Sequence, residues 1–173
     1  MRFSYTLTKG SPRRPLVILK DARITLASDV VDATIKAKKS ELFLVLKRIA
    51  ELSPGLSEPV HIFQLSNTIK LIADESEYKS VIRSSLNKVQ IARETTELSR
   101  LDIHLSPAVE MTPEFGPFLT ELLYQNGISI RHTYIGEETV LILGRDDGPR
   151  AYEILRMEID KSREALVEVE ARA

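Results

Sequence analysis

One order of secondary-structure signals occurs twice along the chain, and this repetition limits the possible folds more than any other feature. Residues 22–86 predict strand, helix, strand, strand, helix, and residues 101–159 predict the same series. Laying TIKLIADES at residue 68 over TVLILGRDD at residue 139, an offset of 71 residues, aligns a strand end with an acidic helix start. Few letters agree between the halves, so the repeat is evident in the order of elements rather than in identity.

The first half begins with a change of hydrophobic period. Residues 22–27 (ARITLA) alternate as a strand, and Ser28-Asp29 is predicted to cap a helical turn over residues 30–33. A helix is predicted over residues 40–52, before the Ser-Pro-Gly stop. Its apolar stripe is predicted to contain Leu42, Phe43, Leu46, Ile49 and Ala50.

The first half continues with a hairpin and a second helix. Residues 60–65 and 68–72 predict two strands joined by a short turn. Residues 87–100 are polar and are interpreted as a linker. A second helix is predicted over residues 75–86, between the hairpin and the linker. Its inward side chains are predicted to be Tyr78, Val81, Ile82 and Leu86.

The second half repeats the series with clearer punctuation. Residues 101–105 (LDIHL) alternate as a strand. Thr112-Pro113-Glu114 predicts a helix start, with Thr as the N-cap, Pro at the first helical position and an acidic residue in the first turn. Residues 125–144 (QNGISIRHTYIGEETVLILG) predict a hairpin, and a last helix starts near residue 146.

A unit of strand, helix, strand, strand and helix, closed by a fourth strand, is the ferredoxin-like plan. We therefore predict an α+β fold of two βαββαβ units in tandem, with antiparallel sheets covered by helices. A unit of about 60 to 70 residues buries its surface poorly alone, so the units are expected either to join through their sheets or to pack as a pseudo-symmetric pair. The predicted division is an arm over residues 1–20, units over 21–90 and 91–160, and a helical tail over 161–173.

Composition excludes several classes of function. The 173 residues are 43% hydrophobic and 28% charged, as in soluble globular proteins, and a formal net charge of -1 argues against general nucleic-acid binding. The absence of cysteine excludes disulfides, thiolate zinc sites and cysteine nucleophiles. Because no segment has the apolar core of a signal peptide or the roughly 20 apolar residues of a membrane helix, a cytoplasmic location is expected.

Motifs for catalysis, metal binding or phosphate binding do not occur in the sequence. His61, His104 and His132 lie on predicted strands, and neither a histidine metal motif, a calcium loop, a glycine-rich phosphate loop nor a Gly-x-Ser-x-Gly elbow is present. We therefore predict no catalytic residue, no metal and no cofactor. His61 and His132 have equivalent places in the repeat, which leaves a shared polar role open beside that of ordinary sheet histidines.

The second half, roughly residues 101–157, resembles the ACT-domain family, especially the regulatory domains of aspartate kinases. The resemblance is carried by TPEF before the first helix, NGISI between that helix and the second strand, and the apolar third strand TVLIL with its acidic turn and helix. It implies a small-molecule-sensing domain that pairs its sheets side by side. Such a domain often binds an amino acid between the first loop of one unit and the second strand of its neighbour.

Transferred to this sequence, the resemblance places a ligand site on two segments. Family members usually have Gly at the position of Glu114, and often Asn at the position of Ser129. The first half has no loop of the Thr-Pro-Gly type, so its own site is expected to be degenerate. The ligand-binding residues implied are Thr112, Pro113, Glu114, Phe115 and Gly116 in the loop, and Asn126, Gly127, Ile128, Ser129 and Ile130 in the strand segment.

Two classes of function follow. The first is a non-catalytic regulatory protein of amino-acid metabolism that binds an amino acid or similar ligand at an ACT–ACT interface, forms a homo-oligomer and acts on an enzyme or regulator. The alternative is an interaction module that mediates oligomerisation or partner contact without a ligand. RNA binding on the sheet surface needs exposed aromatic and basic side chains. Phe63 and Tyr134 are the only aromatic candidates, and the net charge of -1 opposes such binding, so no nucleic-acid partner is predicted. No membrane partner is predicted either.

Overall fold

The computed structural model describes residues 19–36, 38–86, 90–106, 115–135 and 138–170. The helices in these ranges are α1 (Lys39–Leu52), α2 (residues 75–85, with a π-helical centre at Tyr78–Ile82), α3 (Phe115–Gln125) and α4 (Asp147–Glu170). The strands are β1 (Arg23–Lys36), β2 (His61–Leu65), β3 (Thr68–Asp74), β4 (Gln90–His104), β5 (Ile130–Ile135) and β6 (Thr139–Gly144). The predicted order of strand, helix, strand, strand, helix is therefore confirmed in both halves.

The strands form one antiparallel sheet in the order β2-β3-β1-β4-β6-β5. Residues 30–36 of β1 pair with β3 on one side and with residues 90–98 of β4 on the other. Residues 23–27 of β1 pair with residues 100–104 of β4, and this part of β4 also pairs with β6. Each ferredoxin-like unit thus receives its fourth strand from the long first strand of the other unit. The units are joined through their sheets, which is one of the two predicted arrangements.

The junction between the units contains two reciprocal β-bulges. Asp29 in β1 and Glu97 in β4 have φ angles of 55° and 58°, and they are the non-glycine residues with positive φ in the described ranges. Both lie next to the Val30–Leu98 pair, at two of the three register shifts of β1 against β4. Because a bulge bends its strand and increases the local twist, the sheet curves where the units meet.

Helices cover one face of the sheet and bury two cores. Leu19 and Ala22, which precede β1, lie in the core of the second unit, so the N-terminal end of the described chain belongs to that unit. The first core contains these side chains from α1, α2 and the residue that follows: Leu42, Val45, Ile49, Tyr78, Ile82 and Leu86. The second contains these side chains from α3 and α4: Phe115, Leu119, Leu123, Ala151, Leu155 and Ile159.

Three side chains predicted to face the core are exposed instead. Phe43 is 71% exposed, and Ala50 and Val81 also face solvent. The core position beside Leu42 belongs to Val45, which the prediction omitted. Consecutive helical residues point about 100° apart, so the stripe that buries Leu42 turns Phe43 away from the sheet.

Two segments differ from their predicted structure. The helical turn predicted over residues 30–33 is wrong, because β1 continues through them to Lys36. The β-branched residues of VVDATI favour this extended backbone. The linker predicted over residues 87–100 is wrong from Gln90 onward, because β4 begins there. Many of its polar side chains face solvent, as an antiparallel sheet allows on one face.

The repeat offset of 71 residues holds for β2 and β5 and fails for β3 and β6. His61 on β2 lies opposite Ile72, and His132 on β5 lies opposite Ile142. Ile72 and Ile142 belong to one buried cluster on the face without helices, so β3 and β6 correspond at an offset of 70. His61 and Ile72 are 11 positions apart, whereas His132 and Ile142 are 10 apart, so the second hairpin has one residue fewer between these paired positions. A shift of one residue exchanges the faces of a strand.

The division of the chain at residues 20, 90 and 160 remains a prediction. In the structure, α4 is continuous from Asp147 to Glu170 and crosses the predicted start of the tail. Within the described ranges, none of the helices has a stretch that is both long and apolar enough to span a membrane.

Candidate functional site

The face of the sheet opposite the helices, the concave face, is closed by the curvature of the sheet. Phe63 of β2 and Tyr134 of β5 stack with ring centroids 3.5 Å apart and planes inclined by 9°, although β2 and β5 are the outermost strands. The two edges therefore meet above the concave face. Its centre consists of five buried apolar side chains, Val30, Ile72, Leu98, Val140 and Ile142.

Three polar side chains, Asp32, Lys70 and His132, form the Asp32 cluster on the concave face. Lys70 Nζ lies 2.6 Å from Asp32 Oδ2 and 3.2 Å from His132 Nε2, and His132 Nε2 lies 3.3 Å from Asp32 Oδ2. Burial and the Lys70 charge lower the pKa of His132, against the opposing effect of Asp32. A neutral His132 accepts a hydrogen bond from Lys70, so Lys70 donates to both His132 and Asp32. Asp32, which is only 4% exposed, thereby has a charged partner.

A second polar group, the Arg100 cluster, lies elsewhere on the same face. Arg100 is 4% exposed, its Nε donates to Asp102 Oδ2 at 3.0 Å, and its Nη1 donates to the carbonyl of Pro59 at 3.3 Å. Nη2 lies 3.6 Å from a carboxylate oxygen of Glu58. Burial and the Arg100 charge lower the pKa of His61, with Asp102 acting in the opposite direction. Each of the three guanidinium nitrogens therefore has a partner in the protein.

The repeat relates the two clusters crosswise. His132, on β5 of the second unit, contacts Asp32 on β1 of the first unit. His61, on β2 of the first unit, lies within electrostatic range of Arg100 on β4 of the second. Each histidine thus lies near the long strand of the opposite unit, and a polar contact with that strand is formed by His132. A polar role shared by both histidines remains a prediction.

A cavity of about 550 Å³ opens beside the Phe63–Tyr134 stack. Nε2 of His61 and the hydroxyl of Tyr134 are buried and have no hydrogen-bond partner within the described part of the chain. Burial and the Asp32 charge raise the pKa of Tyr134 to about 12, so its phenol stays protonated near neutral pH. The lining residues are His61, Phe63, Thr133, Tyr134, Ile135, Glu138 and Val140.

The strand segment of the sequence-predicted site forms the turn after α3. Gly127 has a φ of 69°, which favours glycine, and its N–H donates to the carbonyl of Tyr124 at 2.9 Å. Arg150 of α4 donates to the carbonyl of Asn126 at 3.1 Å. The N–H of exposed Ser129 donates to Asp147 Oδ2 at 3.3 Å. Side chains from the start of α4 therefore already hold this turn.

The loop segment of the predicted site is described in part, because Thr112, Pro113 and Glu114 lie outside the described residues. Phe115 and Ile128 are both buried in the second core, and Ile130 packs against it, so their side chains support the fold. Gly116 lies in the first turn of α3, where an added Cβ would be 3.7 Å from Ile135 Cδ1. The structure therefore brings Phe115 and Ile128 together in the interior and leaves Ser129 as an accessible residue.

Sequence reasoning missed charged residues of the concave face, among them Asp32, Lys70, Arg100 and Asp102. The available signal was the equivalence of His61 and His132, which identifies the face but not the partners on neighbouring strands. Among the described residues, no three histidine, aspartate or glutamate side chains are grouped so as to hold a metal ion. The concave face offers hydrogen-bonding groups and an open cavity, which are features suited to binding a small molecule.

The solved structures with a similar fold include regulatory parts of aspartate kinases. The regulatory subunit of aspartate kinase from Thermus thermophilus, in a ligand-free form, matches with a TM-score of 0.60 and 13% identity over 81% of this chain and 97% of that subunit. Aspartate kinase from Clostridium acetobutylicum matches with a TM-score of 0.62 and 9% identity, over 79% of this chain and 34% of the kinase chain. E. coli aspartokinase III, in complex with aspartate and ADP, matches with a TM-score of 0.61 and 12% identity, over 82% of this chain and 34% of the aspartokinase chain.

These similarities establish the fold. The chain has the ACT-like, ferredoxin-like architecture of aspartate kinase regulatory domains, and it spans about a third of the two longer kinase chains. No protein-family model matches the sequence, and no curated protein does either. At such low identity the ligand, partner and assembly state of these kinases remain properties of those proteins.

Proposed function

We propose that this chain is a non-catalytic regulatory protein of amino-acid metabolism, which senses an amino acid or a similar small ligand at an interface between ACT-like units. It acts in the cytoplasm as a homodimer or larger closed assembly, and changes its association with an enzyme or regulator when the ligand binds. The observation that carries the proposal is the joined pair of ferredoxin-like units, which matches 97% of a free-standing regulatory subunit.

The similar structures support a regulatory role over a catalytic one. The match to the two longer kinases covers 34% of each, whereas the match to the Thermus regulatory subunit covers nearly all of it. The Clostridium kinase is described as an allosteric enzyme for amino-acid production. A domain with this architecture can alter the activity of a partner when a ligand favours one of two states.

The exposed turn at Ser129 is the part of the proposed ligand site where a backbone donor lies at the surface. Its N–H donates to the carboxylate of Asp147 at 3.3 Å, on an exposed surface. An amino-acid ligand carries its own carboxylate, which can replace Asp147 as the acceptor. Asn126 and Gly127 fix the backbone of the turn on the side of α3, while Ile128 anchors it in the core. A rigid turn with one exchangeable hydrogen bond suits such a ligand.

A thermal-shift screen of the full chain with the twenty standard amino acids tests the ligand. A compound that binds the native state at a concentration roughly 100 times its Kd raises the apparent stability by about 2.7 kcal/mol. Ser129→Pro removes the N–H donor and is expected to abolish the shift, whereas Ser129→Ala keeps the donor and preserves it. An equal shift in both variants would show that the Ser129 N–H has no role.

Sedimentation at micromolar concentration tests the assembly. Side-by-side pairing of ACT-like sheets joins edge strands of different copies, so we expect a dimer or larger closed assembly. The ligand found in the screen should shift the distribution between assembly states. A 19.5 kDa monomer with and without that ligand would contradict an interface site between copies.

The alternative function, an interaction module without a ligand, is favoured by a different observation. Phe43 and Leu44 on α1 are 71% and 63% exposed, and they form an apolar pair on the outer surface of a helix. If no amino acid raises the melting temperature, and Phe43→Ser with Leu44→Ser dissociates the assembly, this alternative replaces ligand sensing. Ala50→Ser, on an exposed position of the same helix, is the matched control.

A further inference from the structure

The cavity beside the Phe63–Tyr134 stack is separate from the proposed amino-acid site. It lies where β2 and β5 meet, and none of residues 126–130 lines it. Phe63, Val140 and Ile135 give it an apolar wall, and His61 and Glu138 add polar groups. A volume of about 550 Å³ is within the usual range of small-molecule pockets.

Two buried polar atoms of the cavity lining have no hydrogen-bond partner among the residues that the structure describes, Nε2 of His61 and the hydroxyl of Tyr134. The hydroxyl can accept a hydrogen bond as well as donate one. Burial and Arg100 keep the pKa of His61 low, so the neutral ring offers an acceptor nitrogen. Glu138 adds a half-exposed carboxylate, which lies 3.2 Å from Nδ1 of His104 at the rim.

Arg100, the cation that acts on His61 of the cavity lining, already has partners in the protein. Arg100 contacts Asp102, Glu58 and the carbonyl of Pro59. Glu138 stands on the cavity wall itself and repels a carboxylate ligand. A ligand that donates hydrogen bonds and carries a positive charge matches these surroundings, because buried acceptors without donors are costly.

We propose that this cavity binds a small organic primary amine in its ammonium form, with the nitrogen towards His61 and Glu138. The apolar body of the amine packs against Val140, Ile135 and the ring edges of the Phe63–Tyr134 stack. Both outer strands contribute to the site, so a bound amine bridges the two repeats and stabilises the closed form of the sheet.

Isothermal titration calorimetry of the full chain with three probes of similar size tests the charge preference. Phenethylamine is cationic, phenethyl alcohol is neutral and 3-phenylpropionate is anionic. We expect phenethylamine to bind about tenfold or more tightly than the alcohol, as a charge-assisted hydrogen bond implies, and the anion to bind weakest. Equal binding of the three probes, tighter binding of 3-phenylpropionate, or no heat from phenethylamine would overturn the proposal.

Matched variants locate the binding. Glu138→Gln keeps the shape of the cavity wall and is expected to weaken phenethylamine about tenfold. Glu153→Gln makes the same change of charge at an exposed position of α4, on the helix side of the sheet, and should leave the affinity unaltered. Thermal unfolding of each variant establishes that it is folded. Unchanged affinity in Glu138→Gln, or equal losses in both variants, would assign any binding to another place.

Discussion

Phe63 and Tyr134 stack on each other from the two opposite edges of the six-stranded sheet, with their ring centroids 3.5 Å apart. They occupy equivalent positions of the two repeats, and each lies two residues beyond the matching histidine, His61 or His132. β2 and β5 are not hydrogen-bonded neighbours, so this contact is formed by side chains. It joins the repeats at a second place, in addition to the pairing of β1 with β4.

A double-mutant cycle is expected to show direct coupling between these rings. Phe63→Ala and Tyr134→Ala should each lower the free energy of unfolding, and their interaction energy should be about 0.5–1.5 kcal/mol. Urea denaturation of the four proteins measures it. Phe43→Ala, at an aromatic that is 71% exposed, should change stability by no more than about 0.5 kcal/mol. If the losses in free energy of unfolding caused by Phe63→Ala and Tyr134→Ala simply add in the double variant, the two rings do not stabilise each other.

Local sequence patterns predicted the repeat, the hairpins and most helix positions, because these depend on the spacing of apolar residues and on turn residues. They failed at residues 90–100, which are polar and read as a linker, because their strand structure comes from pairing with β1. They also failed at residues 28–33, where Asp29 adopts a positive φ within a continuous strand. Both failures fall at the junction of the units, where tertiary pairing overrides local preference.

The candidate sites were predictable to different extents. The turn at Asn126-Gly127 was evident from letters alone and has the expected positive φ at Gly127. The Asp32 cluster was not evident, because Asp32, Lys70 and His132 are far apart in sequence and meet only after the sheet has curled. A sequence pattern specifies the face of a strand, but it gives no curvature, and curvature decides which opposite edges come into contact.

The two concave-face histidines predict how stability depends on pH. The folded-state pKa values of His61 and His132 are lowered from 6.5, chiefly by burial. The unfolded chain therefore binds more protons than the folded protein between each lowered pKa and 6.5, so the free energy of unfolding falls as the pH decreases through that interval. The stability is fully present above 6.5.

Urea denaturation at a series of pH values measures this dependence. His132→Gln keeps a group that can accept from Lys70 and should make the profile below 6.5 less steep. The double variant with His61→Gln should flatten it further. A slope that is identical in the native protein and the double variant would mean that these histidines titrate alike in the folded and unfolded chains.

The bulge at Glu97 predicts an unusual response to a good strand former. Glu97 has a φ of 58°, a region that β-branched residues adopt at a cost. Glu97→Val is therefore expected to destabilise the protein by roughly 1–2 kcal/mol, and Glu97→Gly much less. Thr96→Val, at the neighbouring exposed position, should stay within about 0.5 kcal/mol of the native protein. Equal effects of valine at positions 96 and 97 would contradict the bulge, and thermal unfolding with urea denaturation provides the measurement.

The contact of α4 with β4 predicts which glycine cannot be replaced. A methyl group on buried Gly148 would lie 2.3 Å from Cβ and 2.5 Å from Oγ of Ser99, a residue that is itself inaccessible. Gly148→Ala is therefore expected to destabilise the protein by about 1–3 kcal/mol through overpacking. Gly116→Ala is the control, because among the described residues the atom nearest to its methyl group is Ile135 Cδ1 at 3.7 Å, and it should change stability by no more than about 1 kcal/mol.

Substitution of Ser99 separates this clash from other effects of alanine at position 148. Ser99→Gly removes the Cβ that meets the new methyl group, so Gly148→Ala should cost less in that background than in the native one. Ser99→Ala keeps the Cβ and removes only the hydroxyl, which donates to the carbonyl of Arg145 at 3.3 Å, so it should give little relief. Urea denaturation of the complete set measures the coupling. If Gly148→Ala has the same cost in all three backgrounds, the close approach of α4 to β4 at Ser99 is not what requires glycine.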